Sequence, residues 1–293
     1  MRAVKTSLDD LRREIDDIDT SLHDLLMRRT ELVHEISAAK GDRKIYVRPG
    51  REARILRRLV ARHRGAFPKP VLVRIWREII SVFAALQGRL AIAVYAPEGG
   101  PDLRTRARDH FGSLTPITGH GSAMGVVRAV TEKRATLGVL PVPESDDEDP
   151  WWRLLASDSK GTPRIIARVP FVSMEPALAD GVEGLAIALA PHEDSGDDRS
   201  YLVVELPEPL SRDALSEQLT AAGFDVRDIK HWELPSDQPL HLVEIEGFVT
   251  QDDGRLATLG ETATNGLKYW AIGGYAVPLT ARELAAGDGA GAD

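Results

Sequence analysis

The chain has 293 residues, a length for two or three domains rather than one, and no cysteine, which excludes disulfides, thiolate nucleophiles and thiolate metal sites. No apolar run nears the ~20 residues needed to cross a bilayer, and the charged first residues lack the apolar stretch of a secretion signal, so a soluble cytoplasmic protein is expected. The net charge of −8 is unevenly spread: residues 1–89 hold 20 Lys/Arg against 12 Asp/Glu, whereas the rest of the chain holds 17 against 33. A basic segment joined to an acidic remainder points to separate units. The basic unit either carries solvated helix faces or attracts an anion, be it nucleic acid, an acidic surface or a small polycarboxylate.

In chain order, apolar residues at helical period from Leu8 to Ile36 predict a first helix over about 8–40, with Ser7 as N-cap and Gly41 as stop. At 1.5 Å per residue it spans roughly 50 Å, too long for a globule of ~80 residues, whose radius of gyration is about 12 Å. Such a helix must pack on something outside its own subunit, so an intertwined homodimer is inferred. After Arg48-Pro49-Gly50, a second helix is expected over Arg51–His63 and a third over Pro70–Gln87, the latter with Val71, Leu72, Ile75, Ile79, Ile80, Phe83 and Leu86 as its apolar set.

Beyond Gly88 short strands alternate with helices, the pattern of an α/β unit. The strands are Leu90–Tyr95, Thr115–Thr118, Thr136–Pro141, Arg164–Val169 and Leu185–Ala190, and the helices Leu103–Phe111 and Ser122–Arg134. Residues 191–199 read as a polar linker. Then come strand Tyr201–Leu206, helix Ser211–Ala222, strands Val226–Leu234 and Leu240–Gly247, helix Leu256–Asn265 and strand Leu267–Ile272. That βαββαβ order is ferredoxin-like. The tail from 281 reads as disordered. The fold class is therefore multi-domain: an all-α three-helix unit (1–89), a truncated α/β unit (90–196) and an α+β ferredoxin-like unit (197–280), with a tail over 281–293. Two smaller features stay open. Gly119-His120-Gly121-Ser122 either caps a helix or binds an anion, and Trp151-Trp152 either packs under its acidic loop or offers a docking spot.

Arg29 and Lys40 lie eleven positions apart on the first helix, within about 20° on the helical wheel, whereas Arg12 stands about 100° from Arg29. Unpaired cations are costly to bury, so these three are either solvated or face an anionic ligand. Arg51 and Glu52 open the second helix and Gln87 closes the third. Few aromatics accompany these cations, which argues against nucleic-acid binding.

Taken together, LRREIDDIDTSLHDLLMRRTELVHEISAAK (11–40), RPGREARIL (48–56) and IWREIISVFAALQ (75–87) resemble the all-helical chorismate mutase family. The resemblance implies an intertwined dimer that converts chorismate to prephenate with no cofactor or metal. Arg12 matches the arginine that crosses into the partner's site, Arg29 the in-subunit carboxylate clamp, and Lys40 the lysine on a carboxylate and the ether oxygen. Arg51 and Glu52 match the start of the second helix, where the glutamate binds the substrate hydroxyl. Gln87 matches the second ether-oxygen donor. Arg48 stands where some relatives carry an Asp facing the hydroxyl, and Phe83 where some carry a Ser.

Downstream, LAIAVYAPEGG, RDHFGS and ATLGVLPVPES look like the start of a prephenate dehydratase domain, and the closing βαββαβ unit, with LKYWAIGGY, like an ACT domain. The departures are large. Gly99-Gly100-Pro101 stands for Gly-Thr-Phe-Ser, Pro143-Glu144-Ser145 for Glu-Asn-Ser, and Asp198-Arg199-Ser200 for the Thr-Arg-Phe region. HWELPSDQP stands near the place of the Glu-Ser-Arg-Pro motif, and only about 55 residues separate Pro143 from Arg199. The expected activity is that of a mutase carrying a degenerate dehydratase-like module; the alternatives are a bifunctional mutase–dehydratase and a non-catalytic regulator of an aromatic-pathway enzyme.

Overall fold

The computed structural model describes residues 7–40, 46–145, 147, 150–172, 182–206, 210–232, 239–262 and 267–285, with backbone alone at 40 and 260–262. Three helices come first: α1 (Leu8–Lys40), α2 (Pro49–Arg62) and α3 (Lys69–Gln87). Ser7 and Asp10 close a reciprocal box at the start of α1, each side chain accepting the other's amide at 3.1 Å. Helix α2 begins at Pro49, ahead of the expected Arg51, because proline at the first helical position sacrifices no hydrogen bond. Helix α1 touches α3, but much of its apolar stripe stays open: Leu8, Leu11, Ile15, Ile18, Leu22 and Leu25 are 46% to 66% exposed. No described helix is long and apolar enough to cross a membrane.

The rest of the chain builds one nine-stranded sheet. In chain order it runs β1 (Ile92–Tyr95), α4 (Arg104–Phe111), β2 (Ile117–His120), α5 (Ala123–Thr131), β3 (Leu137–Pro141), a 3-10 turn (Trp151–Leu155), β4 (Arg164–Val169) and β5 (Gly184–Ala188). There follow β6 (Asp198–Glu205), α6 (Arg212–Ala221), β7 (Val226–Trp232), β8 (Leu240–Glu246), α7 (Gly254–Thr262), β9 (Lys268–Ala276) and α8 (Ala281–Ala285). The spatial order is β2-β1-β3-β5-β4-β9-β6-β8-β7. Strand β2 sits two residues later than expected, and α5 stops at Thr131, with Lys133 turning to a φ of 59°. The end of the expected 226–234 strand and of the 256–265 helix lie outside the described residues, as does the tail beyond 285.

Strands β6 to β9 pair in the order β9-β6-β8-β7, the arrangement their βαββαβ sequence calls for. Alternation along β6 divides two cores. Leu202 and Val204 face Leu215 and Leu219 of α6 and Leu256 and Leu259 of α7, while Tyr201 and Val203 face Trp151, Trp152 and Leu155. The two tryptophans are 3% and 1% exposed and Trp151 donates to the Pro141 carbonyl at 3.0 Å, so they pack beneath the loop. Ser122 caps α5, its hydroxyl accepting from the Gly125 amide at 3.2 Å.

The two halves of the sheet meet where β4 and β9 run parallel, with Ile165 opposite Gly273. Gly273 has a φ of 114°, and a Cβ there would collide with the Ile165 backbone. Gly273→Ala is therefore expected to destabilise the protein by more than the ~1 kcal/mol of an ordinary backbone substitution. Thermal unfolding measures this; an unchanged melting temperature would show that the seam does not depend on that approach.

Two expectations are corrected. Residues 191–199 are not a free polar linker: β6 already starts at Asp198, and His192, Ser195 and Asp198 are 6%, 4% and 3% exposed. Nor is the tail irregular from 281, since Thr280 caps α8 by accepting the Glu283 amide at 3.3 Å and Leu284 packs with Leu56, Val60 and Phe171. Burial pulls His192 down to about 4. The unfolded chain takes up a proton near 6.5 that the folded chain refuses, so stability is complete above about pH 6.5 and falls as pH drops toward 4, by about 3 kcal/mol from this group. His192→Gln should flatten that part of a melting-temperature-versus-pH curve; an identical slope would place the acid sensitivity elsewhere.

Candidate functional site

The site begins with an unmatched cation. Arg29, half-buried on α1, lays its guanidinium 4.0 Å from the centroid of the Phe83 ring on α3. Among the described residues its Nη1 is buried without a hydrogen-bond partner. Burial, and then the nearby charge of Arg51, pull its pKa below the ordinary guanidinium value. Two neighbouring arginines with an idle, buried donor form a pocket edge suited to an anion. One turn beyond Phe83, Gln87 folds back so that its amide donates to the Phe83 carbonyl at 2.9 Å. Arg29, Arg51 and Phe83 thus come together, and Gln87 lies one turn further along α3.

The other expected residues sit differently. Glu52 is 9% exposed and pairs with Arg77, Oε2 to Nη1 at 3.0 Å, while Oε1 accepts a long 3.4 Å bond from the Arg48 amide. Burial raises the Glu52 carboxyl above the usual range, against the lowering pull of Arg77; burial likewise brings Arg77 down to about 10, which leaves it cationic at neutral pH. The Arg48 side chain turns away to donate from Nε to Glu193 at 2.7 Å. Arg12 is exposed beside Asp9, 3.3 Å away, and seventeen residues of helix put it about 25 Å from Arg29 along α1. Among the described residues it joins no other expected site residue within this subunit. Lys40 ends α1, and its side chain lies outside the described residues.

Arg77, His110, Phe171 and Glu193 were not singled out in the sequence. They belong to the surface on which α2 and α3 meet the sheet. Arg57 clamps that surface, donating to Ser195 Oγ at 3.0 Å and to the carbonyls of Asp197 and Val277, each at 2.8 Å. A signal was present: Val73, Arg77, Ser81 and Ala84 form a second buried stripe on α3, and an arginine in such a stripe demands a partner.

The N-terminal part is thus a three-helix segment, cationic near Arg29 and Arg51, with α2 and α3 docked on a mixed sheet. Residues 11–88 match the family model described as chorismate mutase type II. Similar relatives include the bifunctional chorismate mutase/prephenate dehydratase of Pseudomonas aeruginosa, 29% identical over 143 residues, covering 47% of this chain and 39% of the relative. The protein of the same description from Aquifex aeolicus is 28% identical over 208 residues, covering 68% of this chain and 57% of the relative. The chain thus spans about two fifths to just over half the length of these curated relatives. A prephenate dehydratase structure from Streptococcus mutans superposes with a TM-score of 0.46 at 17% identity, covering 65% of this chain and 100% of that one.

Proposed function

We propose that this chain is a cytoplasmic chorismate mutase: a homodimer, joined through α1, that rearranges chorismate to prephenate. The observation that carries the reading is the idle buried Nη1 of Arg29 beside Arg51, Phe83 and Gln87 within a chorismate mutase type II domain. Chorismate is a dianion that rearranges within one molecule. An ether C–O bond breaks as a C–C bond forms, so the protein supplies orientation rather than a nucleophile or base. Arg29, and Arg12 of a partner subunit, clamp the carboxylates. Lys40 and Gln87 donate to the ether oxygen as it gains charge, Gln87 by releasing the Phe83 carbonyl. Arg51, Arg48 and Glu52 complete the pocket, with Glu52 accepting the substrate hydroxyl. The exposed stripe of Leu8 to Leu25 supports the dimer, since a row of large aliphatic side chains is costly to leave in water. In the same reading the chain divides into units 1–89, 90–196 and an ACT-like 197–280.

The dehydratase-like part is inactive in this reading. Asp198 accepts the Ser195 hydroxyl at 2.6 Å, Arg199 pairs with Glu246 at 3.3 Å, and Ser200 donates to the Gly247 carbonyl at 2.8 Å. All three side chains are committed to internal contacts, and none is left to protonate a leaving hydroxide. The test is a chorismate turnover assay on purified protein, with prephenate and phenylpyruvate measured separately. Prephenate should form without added metal or cofactor and phenylpyruvate should not exceed its spontaneous background. No acceleration by well-folded dimer would sink the mutase reading in favour of a regulatory protein, and enzyme-dependent phenylpyruvate would establish the bifunctional alternative.

A further inference from the structure

The Glu52 carboxylate lies at the seam between the helices and the sheet, in a cleft it shares with the buried His110 of α4. Arg77 of α3 takes Oε2, and its guanidinium carbon lies 5.0 Å from the centroid of the Phe171 ring, just beyond β4. Phe171 is anchored in turn, its amide donating to Nδ1 of the buried His110 on α4 at 3.2 Å. Val47, Glu52, Arg77, Ser81 and His110 line one narrow cleft. A chain of contacts therefore runs from the sheet, through Phe171 and Arg77, to the one carboxylate among the proposed substrate contacts.

We propose that Arg77 is a positioning residue for Glu52, and that the sheet, acting through Phe171 and His110, holds Arg77 in place. This rests on the mutase reading. With Oε2 occupied, the remaining oxygen, Oε1, has only the long bond from the Arg48 amide and retains lone-pair capacity for a substrate hydroxyl. A carboxylate without its guanidinium in this setting would turn freely about its last bond and take up a proton, becoming a donor where an acceptor is needed. The groups facing Glu52 are Arg77 from α3, the Arg48 amide ahead of α2, Glu193 from the segment before β6, and neutral His110 across the cleft. Of these only Arg77 brings a charge that favours the ionised form.

The test compares Arg77→Gln and Arg77→Lys with the unmodified full-length dimer, reading KM, kcat, the pH profile of kcat/KM and the melting temperature. Arg77→Gln should raise KM for chorismate by about tenfold or more, because a hydroxyl acceptor held equally in ground and transition states acts on binding. Its acid limb should also move to higher pH, since losing the cation makes Glu52 easier to protonate. Arg77→Lys, which restores the charge but not the planar fork, should return the acid limb toward its original place and recover KM in part. A purely structural ion pair predicts lower melting temperatures with KM and the acid limb unchanged, and that result overturns the proposal. If Arg77→Gln does not fold, Arg77→Lys decides alone: a raised KM supports the proposal and an unchanged KM overturns it. Unmodified protein without turnover would overturn the mutase reading and this inference together, whereas active protein with indifferent variants overturns the inference alone.

Discussion

On the proposed mutase reading, Lys40→Ala is expected to lower chorismate turnover by about 10²–10³, the usual loss when one donor to a developing oxyanion is removed. As the ether bond breaks, charge collects on the oxygen, and an ammonium fixed against it gains strength between ground and transition state. The loss should therefore fall on kcat more than on KM. Lys40 ends α1, where a cation also favours the helix dipole, but that effect is worth only about 0.3–1 kcal/mol of stability at an exposed terminus. Rate and stability thus separate. Steady-state kinetics and a melting curve on the same preparation check it, and a rate within threefold of the original would reduce Lys40 to a solvated helix charge.

The helices and most strands were legible because each obeys a local rule. The stripe from Leu8 to Ile36 has the helical period, Ser7 and Ser122 are cap residues with an acceptor oxygen, and β6 alternates between two cores. The cationic trio Arg12, Arg29 and Lys40 could be read as solvated or ligand-facing, and periodicity could not choose. What separates Arg29 from an ordinary surface arginine is the Phe83 ring beneath it and the absence, among the described residues, of a carboxylate paired with it, both set by how α1 lies on α3. Long-range partners were the part that stayed hidden. Glu52 and Arg77 stand 25 positions apart, Arg48 and Glu193 145 apart, and Arg57 and Val277 220 apart. No period or motif links such pairs. Residues 191–199 looked like a linker because they are polar, but Glu193 pairs with Arg48, and Ser195 and the Asp197 carbonyl with Arg57, which docks the segment on α2 and the residue ahead of it.

On the proposed dimer, mixed dimers of Arg12→Ala and Arg29→Ala are expected to recover activity that each variant alone has largely lost. Truncating one partner of a desolvated, hydrogen-bonded charge pair costs about 2–5 kcal/mol, so each homodimer should fall by roughly 30-fold to several thousand-fold in kcat/KM. The two losses should have different structural signatures. Arg29 sits on Phe83 and its removal takes away packing as well as charge. Among the described residues Arg12 pairs with the exposed Asp9 alone, so its removal should leave the melting temperature almost unchanged. If Arg12 crosses as proposed, the site in the subunit of a mixed dimer that keeps Arg29 would receive Arg12 from the other subunit and be whole, while the second site would lack both. A pure mixed dimer should therefore reach about half the original activity, and random reassortment about a quarter. Co-expression with two different affinity tags, followed by tandem purification, isolates the mixed species. If that species forms and stays as inactive as its parents, Arg12 does not serve the partner's pocket and the crossing arrangement is wrong.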